Sequence, residues 1–485
     1  MIKTKRIDYK FAALFLTLLL GSLFIGILIG TYGYKMGVPI IAALVGLPLI
    51  YKSVIDTEFG LYLFTWYTYF LFLIGRLLLP TRLPMGVGVE ILLLVLSGGV
   101  IISEIQHKKS GWKFLDNPVT YIFIVYETYN VLQAFNPNAT SLAGWLVSTR
   151  GIVFEMIAYL LLIKLFSNFS LIKNFTKLWM FLSLLAALYG FYQEIFGYNS
   201  YEWMDIYSNP QTIFLIQNWA FLRKFSFMSD VATFGIVMAY SGIFCGVLAM
   251  TSSFNGKKRM ILGASAILMI IAMSFSGTRT ATAMVPAGAF MYILMHINNR
   301  KTLIALVFLV VCGLAILYGP FYGTSISRIR TTFQPSQDPS MNVREYNRAR
   351  AQPYIHSHPI GGGVNTTDSE GELLSPGHQL AGFPTDSGFL KTALTIGWIG
   401  LIIQMALYLS VIVIGVSNFY KARDPVIKAL YGAYIAAFFS LIIANYAQPA
   451  MGQKPTGLIV FSIFVLMPNL IKFDSIVELK KSNKL

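Results

Sequence analysis

Charged side chains are scarce in this sequence of 485 residues. Only 12% of the residues are Asp, Glu, Lys or Arg, whereas 56% are hydrophobic. A soluble globular domain carries about 25% charged and about 45–50% apolar residues. This shortage of charge excludes a soluble enzyme and a disordered chain. It favours an integral membrane protein that crosses the bilayer several times.

Cysteine and clustered metal ligands are also few. Cys245 and Cys312 are the only cysteines, and each lies inside an apolar run. They cannot form a Cys-x-x-Cys metal site, and a disulfide between them is not expected at membrane depth. His356 and His358 are a weak candidate metal pair, because no third ligand accompanies them. We therefore predict neither a disulfide scaffold nor a metal site.

Acidic residues are the scarcer kind of charge, since 21 Asp and Glu stand against 37 Lys and Arg, which gives a net charge of +16. Such an excess is a common sign of nucleic-acid binding. Much of it, however, lies in short loops between apolar segments, where Lys and Arg mark the cytoplasmic side of a membrane protein. We interpret the charge as topology information and predict no nucleic-acid partner.

Long apolar runs make up most of the chain. A spanning helix needs roughly 20 mostly apolar residues, because the hydrocarbon core is about 30 Å thick and a helix rises 1.5 Å per residue. The predicted spans are residues 11–33, 37–53, 60–80, 86–105, 118–135, 150–167, 175–197, 229–250, 259–276, 280–297, 302–320, 387–416, 427–447 and 455–472. The predicted fold class is therefore all-α integral membrane, with about 14 transmembrane helices in a single polytopic domain over residues 1–485.

Basic loops set the predicted orientation. With the N-terminus inside, the clusters Lys108–Lys109, Lys257–Arg259, Arg300–Lys301 and Lys421–Arg423 fall in cytoplasmic loops, as the positive-inside rule requires. An even number of spans then places both termini in the cytoplasm. The same orientation leaves residues 321–386 as one large loop on the outer face.

The large outer loop, residues 321–386, is rich in arginine and has no lysine. Its arginines are Arg328, Arg330, Arg344, Arg348 and Arg350. A planar guanidinium makes two parallel hydrogen bonds to phosphate oxygens, whereas lysine is a point charge. The cluster therefore indicates recognition of a phosphate or diphosphate. The alternative is pairing with the acids of the same loop, which are Asp338, Glu345, Asp368, Glu370, Glu372 and Asp386.

Two further arginines lie at the predicted outer ends of spans. Arg279 lies in the tight connection between the ninth and tenth predicted helices, and Arg223 precedes the eighth. An ionisable side chain beside a spanning segment is costly, so a functional site is the default hypothesis. Snorkelling to lipid headgroups is the alternative, and it applies more to Arg223, because small residues around Arg279 allow a ligand to approach. Arg150, before the sixth helix, is a weaker member of the set.

Four glutamates fall inside apolar segments, namely Glu90, Glu127, Glu155 and Glu194. An intramembrane carboxylate can carry protons in a transporter, or it can pair with a group on a neighbouring helix. Pairing is the commoner case, and we interpret these glutamates in that way.

An enzyme that activates a hydroxyl group needs a general base, and two residues at the end of the large loop are candidates. Asp386 lies where the loop re-enters the membrane, and His378 lies shortly before it. Histidine has a suitable intrinsic pKa of about 6.5. The pKa of an aspartate starts at about 3.9 and rises when the carboxylate is desolvated. Either residue could serve as the base.

Several short motifs resemble the O-antigen ligase and O-antigen polymerase superfamily. They are the turn Ser276–Thr280, the stretch from Arg344 to the His-Pro-Ile-Gly-Gly-Gly sequence of His358–Gly363, and the segment Asp386–Leu390 that runs into Ile396–Leu401. In that superfamily, similar motifs bracket a large periplasmic loop. We predict residues 265–405 as the ligase- or polymerase-like core, with residues 321–386 as its periplasmic loop.

The resemblance implies a glycosyltransferase of the bacterial inner membrane that acts on the periplasmic side. Its donor would be a glycan on undecaprenyl diphosphate, and it would use no metal, nucleotide sugar or other cofactor. Arg223 and Arg279 match the superfamily's arginines that contact the donor diphosphate. Arg344 matches the arginine that opens the motif-bearing half of the loop. Arg348 and Arg350, in the same loop, are further candidates for substrate binding.

The pair Asp386–Ser387 stands where the superfamily often has His-Asn. In the ligases that histidine is the proposed base, so either Asp386 takes the role here or His378 reaches in from the loop. This difference favours a polymerase of O-antigen, capsule or exopolysaccharide over a lipid A-core ligase.

Two other functions remain open. The first is a ligase that moves the glycan to a lipid or protein acceptor. The second is a flippase or transporter of lipid-linked glycans, which would predict broken helices and inverted repeats. The expected partners are an undecaprenyl-diphosphate-linked oligosaccharide and membrane lipid, with a chain-length regulator protein as a further candidate.

Overall fold

The computed structural model describes residues 21–27, 30–31, 34–78, 85–107, 115–208, 210–218, 221–297 and 339–474, with scattered positions between 300 and 330. In the first half of the chain the helices are α1 (Tyr34–Ile55), α2 (Thr57–Leu77), α3 (Met85–His107), α4 (Pro118–Leu132), α5 (Leu142–Leu165), α6 (Phe169–Phe196), α7 (Ser200–Ser208) and α8 (Pro210–Ile216). In the second half they are α9 (Val231–Met250), α10 (Gly256–Phe275), α11 (Arg279–Met295), α12 (Pro339–Ser357), α13 (Asp368–Leu374), α14 (Gly388–Thr395), α15 (Gly397–Lys421), α16 (Pro425–Ala447) and α17 (Thr456–Asn469).

Eight helices of the described residues are long and apolar enough to cross a bilayer: α3, α5, α6, α9, α10, α15, α16 and α17 with its 3-10 extension. The chain is thus a multi-pass, helical membrane protein. Most helices agree with the predicted spans to within a few residues, as α9 does with residues 229–250. The predicted spans 11–33 and 302–320 lie largely outside the described residues, so the total of about 14 stays a prediction.

Helices α9 and α16 form the centre of the bundle, and most of their side chains are buried. Trp179 of α6 packs against Tyr240, Phe244 and Tyr434, with ring centroids 5.9, 4.5 and 6.0 Å apart. The hydroxyl of Tyr434 shares a 2.8 Å hydrogen bond with that of Thr176. Lipid is as apolar as these side chains, so close packing and such hydrogen bonds hold the helices together.

The described residues between the predicted spans 175–197 and 229–250 contain regular structure. They form α7, α8 and a short antiparallel ribbon of β1 (Gln217–Asn218) and β2 (Phe221–Leu222). The buried guanidinium of Arg76, at the end of α2, holds this segment to the bundle. Its Nε donates to Asp205 Oδ2 at 2.8 Å, and its Nη2 donates to the Met228 carbonyl at 2.6 Å. Arg76 therefore anchors the chain that leads into α9.

The predicted single span over residues 387–416 is wrong, because the helix is broken at Ile396. The short helix α14 precedes the break, and the long helix α15 follows it. Gly397, the first residue of α15, has a left-handed φ of +75°. A continuous apolar run gave no sign of this break.

The break results from a close contact with the glycine-rich end of the large loop. The backbone N–H groups of Gly362 and Gly363 donate to the carbonyls of Leu394 and Thr395, each at 2.8 Å. A Cβ on the first residue of α15 would lie 2.0 Å from the Pro359 carbonyl oxygen. The two glycine motifs noted in the sequence therefore meet, backbone against backbone.

We expect Gly397→Ala to destabilise the protein by at least roughly 1–2 kcal/mol, the cost of a left-handed backbone at a residue with a Cβ. The clash with the Pro359 carbonyl adds to this cost. Thermal unfolding of the purified protein in detergent measures the effect. Gly377→Ala is the matched control, because nothing lies within 4 Å of a Cβ built there. Equal unfolding temperatures for the two variants would contradict the prediction.

Candidate functional site

A tight turn between α10 and α11 carries the first candidate residue, Arg279, which begins α11 and is half-buried. Arg223 braces this turn. Its Nε donates to the Ser276 carbonyl at 2.7 Å, and its Nη2 donates to Thr278 Oγ1 at 3.2 Å. Its Nη1 donates to the Leu215 carbonyl at 2.9 Å. The structure thus brings Arg223 and Arg279 together, with Arg223 fixing the turn that presents Arg279.

The guanidinium groups of Arg279 and Arg344 are close enough to act on one another. Burial and then the positive charge of Arg344 lower the pKa of Arg279. Arg344 lies on α12 and is half-buried, and it makes no hydrogen bond or ion pair with any described residue. Two like charges kept near each other by the fold repel, and an anion bound between them removes that repulsion. The pair is therefore a candidate anion site.

One face of α12 connects this pair to a carboxylate. Arg344, Asn347 and Arg348 are spaced three and four residues apart, which puts them on the same side of the helix. Asn347 is buried, and its Nδ2 donates to Asp386 Oδ2 at 3.3 Å. Arg348 Nη1 donates to the Tyr446 hydroxyl at 2.8 Å, and its guanidinium lies over that ring. Docking of α12 therefore places Asp386 against Asn347, one helical turn from Arg344.

Asp386 is half-buried at the start of α14. The contact with Asn347 is its only hydrogen bond or ion pair to the described part of the chain, so Oδ1 has capacity for a ligand. The next residue, Ser387, caps α14 and donates from its hydroxyl to the Asn445 carbonyl at 3.4 Å. The backbone around Asp386 is thus fixed while its carboxylate can accept a proton.

His378 occupies a different setting and is only 8% exposed. Its Nδ1 accepts a hydrogen bond from the Leu380 N–H at 3.1 Å, which leaves the proton of the neutral ring on Nε2. Burial lowers its pKa, a hydrogen bond with the Asn138 backbone opposes this, and the charge of His358 lowers the pKa further. The ring of His378 is therefore engaged by the loop itself and by the chain between α4 and α5.

We expect the stability of the protein to fall as the pH drops below about 6.5, partly because of His378. Its pKa is lowered in the folded state, so the unfolded chain binds a proton that the folded chain resists, and stability is lost as the pH falls. His378→Gln should reduce this pH dependence, measured as unfolding temperature against pH. His356→Gln, at an exposed position of the same loop, is the control and should leave the slope unchanged. Identical slopes for all three proteins would exclude the effect.

The turn, α12 and the start of α14 all lie within one stretch of the sequence. Residues 264–405 match the family model described as O-antigen ligase. This match confirms the resemblance to the O-antigen ligase and polymerase superfamily, and it indicates a membrane glycan function of that type. The matched stretch includes Arg279, Arg344 and Asp386, whereas Arg223 precedes it. The chain matches no curated protein.

The other arginines of the large loop do not join Arg279, Arg344 and Asp386. Arg350 is exposed, and its guanidinium lies 5.7 Å from the ring centroids of Tyr346 and Phe383. Arg330 donates to the Gly319 carbonyl, and Arg328 lies outside the described residues. In the part of the chain that is described, no three His, Cys, Asp or Glu side chains gather in a way that could hold a metal ion.

The four glutamates of the apolar segments divide into two kinds. Glu90 forms an ion pair with Arg150, and Glu194 lies 3.8 Å from Lys224, so pairing is confirmed for these two. Glu127 and Glu155 form no ion pair with any residue the structure describes, but they lie close enough on the neighbouring helices α4 and α5 to act on each other. Both line a cavity of about 930 Å³.

Sequence reasoning missed Asn347, Tyr446 and Gln404. A signal for Asn347 was present, since it follows Arg344 by one turn of a helix and would share a helix face with it. Tyr446 and Gln404 carried no such signal, because each lies in a long apolar run and gains its meaning from residues distant in the chain.

Proposed function

We propose that this protein is a glycosyltransferase that polymerises undecaprenyl-diphosphate-linked oligosaccharide repeats at the periplasmic face of the bacterial inner membrane. The observation that carries the proposal is the proximity of two like charges, Arg279 and Arg344, one helical turn along α12 from the residue that hydrogen-bonds the half-buried carboxylate of Asp386. An anion site next to a proton acceptor is the combination that transfer from a lipid diphosphate requires. Neither metal nor cofactor takes part in the proposed reaction.

The arginines act on the leaving group. When the bond between the anomeric carbon and the diphosphate breaks, negative charge develops on the departing oxygen. Guanidinium groups already in place stabilise that charge, and they can do so through paired hydrogen bonds. We assign this role to Arg279 and Arg344, with Arg223 fixing the turn. Arg348 and Arg350 contribute at most to positioning the bound lipid-linked glycan.

Asp386 acts on the acceptor. Its carboxylate removes the proton from a hydroxyl of a second lipid-linked repeat as that oxygen attacks the anomeric carbon from the opposite side. A new glycosidic bond forms, undecaprenyl diphosphate leaves, and the anomeric configuration inverts. Asn347 orients the carboxylate by its hydrogen bond to Oδ2. We prefer Asp386 to His378, because the ring of His378 is already engaged by the Leu380 N–H and by the backbone of Asn138.

A ligase is the second candidate function, and the family model that matches residues 264–405 is described as O-antigen ligase. The two functions share donor and mechanism and differ only in the acceptor. A chain-length regulator would be expected as a partner only for the polymerase.

The deciding experiment supplies the protein, purified in detergent with a chelator present, with undecaprenyl-diphosphate-linked repeats of the native host. A ladder of longer lipid-linked glycans on a gel supports the polymerase. Transfer only to an added lipid or protein acceptor supports the ligase. Binding of the lipid-linked repeats without any reaction would overturn the proposed enzymatic activity and favour a flippase of lipid-linked glycans. Arg259→Ala changes an exposed arginine at the start of α10 and serves as a control for activity lost during purification.

A further inference from the structure

A cavity of about 930 Å³ lies next to the proposed base, lined mainly by residues of α4, α5, α13, α14, α15 and the chain that follows α16. Its wall includes Gly388, which closely follows Asp386, and Asn445, which accepts a hydrogen bond from Ser387. A Cβ at Gly388 would lie 2.2 Å from Asn445 Oδ1, so glycine keeps this wall closed and thin. The cavity therefore adjoins the segment that carries Asp386.

The cavity extends well along the helices. Along α5 its lining runs from Val147 to Glu155. At a rise of 1.5 Å per residue, these two positions are separated by about 12 Å along the helix axis. A space of this volume and length is of the size that accommodates an extended organic ligand rather than a few waters.

Acidic side chains outnumber basic ones in the lining of the cavity. Its lining contains three carboxylates, Glu127, Glu155 and Glu370, and one ammonium, Lys391. Lys391 is already engaged, since its Nζ lies 2.9 Å from Glu370 Oε2 and 3.6 Å from Asp368 Oδ2. Glu127 and Glu155 are thus acceptors with no cation beside them among the described residues. An uncompensated carboxylate in a membrane helix is costly and is by default a sign of function.

A second observation points to a ligand. Gln404 of α15 is only 8% exposed and lines the cavity. Its Nε2 donates to the Tyr126 hydroxyl at 3.2 Å, whereas its Oε1 has no hydrogen-bond partner. A buried amide oxygen left unpaired costs free energy, and a donor on a bound molecule would satisfy it. Carboxyl and amide oxygens are hydrogen-bond acceptors, so together they favour a ligand that donates many hydrogen bonds.

We propose that this cavity binds the sugar chain of the substrate and prefers residues that bear hydroxyl or amino groups over residues that bear carboxylates. Hydroxyl and ammonium groups can donate to the carboxyl oxygens of Glu127 and Glu155 and to Gln404 Oε1, whereas a uronate would add a further carboxylate where the cavity's one ammonium, Lys391, is already paired with Glu370. The inference rests on the proposed function and deepens it, because it assigns the two parts of the substrate to two different places. The diphosphate lies at the arginines, and the saccharide extends into the acidic cavity.

Binding of free trisaccharides to the full-length protein in detergent tests the inference without requiring turnover. The probes are chitosan trisaccharide with free amines, N-acetylchitotriose, which is neutral, and trigalacturonic acid, which is acidic. Titration calorimetry is performed at a pH where the amines and the uronates are both charged. Charge-assisted hydrogen bonds predict that the amine probe binds about tenfold or more tighter than the neutral probe. Trigalacturonic acid should not bind.

Variants assign the effect to the cavity. Glu155→Gln should weaken binding of the amine probe about tenfold and change binding of N-acetylchitotriose little, because only the charge is removed. Gln404→Leu should weaken both probes. Glu58→Gln, an intermediate-exposure glutamate at the start of α2, is the matched control and should change neither. Thermal unfolding of each variant verifies that it is folded.

Equal binding of the acidic and amine probes, binding of no probe, or the absence of any effect of Glu155→Gln would overturn the inference. The proposed function fails separately. If the protein transfers lipid-linked glycan but binds the probes without this selectivity, only the assignment of the cavity is wrong. If it binds the probes selectively but transfers no glycan, the proposed glycosyltransferase activity is wrong.

Discussion

Asp386→Asn is expected to lower the initial rate of glycan transfer by about 10²–10⁴-fold, the usual contribution of a positioned general base. Asparagine keeps the size of the side chain, and its carbonyl oxygen can still accept the hydrogen bond that Asn347 donates at 3.3 Å. The fold should therefore persist while the proton acceptor is lost. The measurement is the rate of appearance of extended lipid-linked product at saturating donor.

The control for this change is Asp116→Asn, an exposed aspartate just before α4 on the predicted cytoplasmic side. It should transfer glycan at the rate of the unchanged protein. Asp386→Glu should retain a part of the activity, because it keeps the carboxylate but moves it by one methylene. Full activity of Asp386→Asn together with loss of transfer in a normally folded His378→Gln would assign the base to His378 instead.

Arg279→Ala is expected to lower kcat/KM for the lipid-linked donor by about 10²–10³-fold, as removal of one preorganised donor to a developing anion does in other enzymes. Arg279→Lys should recover only part of the loss, because an ammonium cannot form the paired hydrogen bonds of a guanidinium. Arg344→Ala should have a similar effect. The measurement is the rate at low donor concentration, where kcat/KM governs.

The double variant tests whether both arginines bind one anion. If Arg279 and Arg344 share a diphosphate, their losses should not add, because removal of either already disrupts the site. Arg259→Ala provides the matched control at the opposite end of α10. Fully additive losses, or normal donor affinity in Arg279→Ala, would show that the two charges act on different groups.

The sequence predicted those parts of the fold that depend on local composition. An apolar run of about 20 residues spans a membrane whatever surrounds it, so the ends of α9 and α16 were predicted closely. The break at Gly397 was not predictable in this way. It depends on the Pro359 carbonyl, which belongs to a distant part of the loop and gives no local sign of its approach.

The candidate site was predicted in its chemistry and not in its geometry. Arginine at an outer helix boundary was signal enough for Arg279, and an acid at the end of the loop was signal enough for Asp386. The contact of Asn347 with Asp386 joins two separate helical segments and exists only once α12 has docked. The cavity was even harder to predict from the sequence, because Glu127 and Gln404 lie in opposite halves of the chain. Each of them alone is one polar residue in an apolar helix.

The capping of α14 has a consequence for biosynthesis. The N–H groups of Gly362 and Gly363 satisfy the last carbonyls of a helix that is translated after them. At about 5–20 residues per second, the ribosome delivers the cap roughly 2–6 s before the helix end that it covers. Carbonyls left without donors in lipid cost several kcal/mol each. The donors are therefore synthesised before the carbonyls that they satisfy, so the short helix can enter the bundle with its end closed.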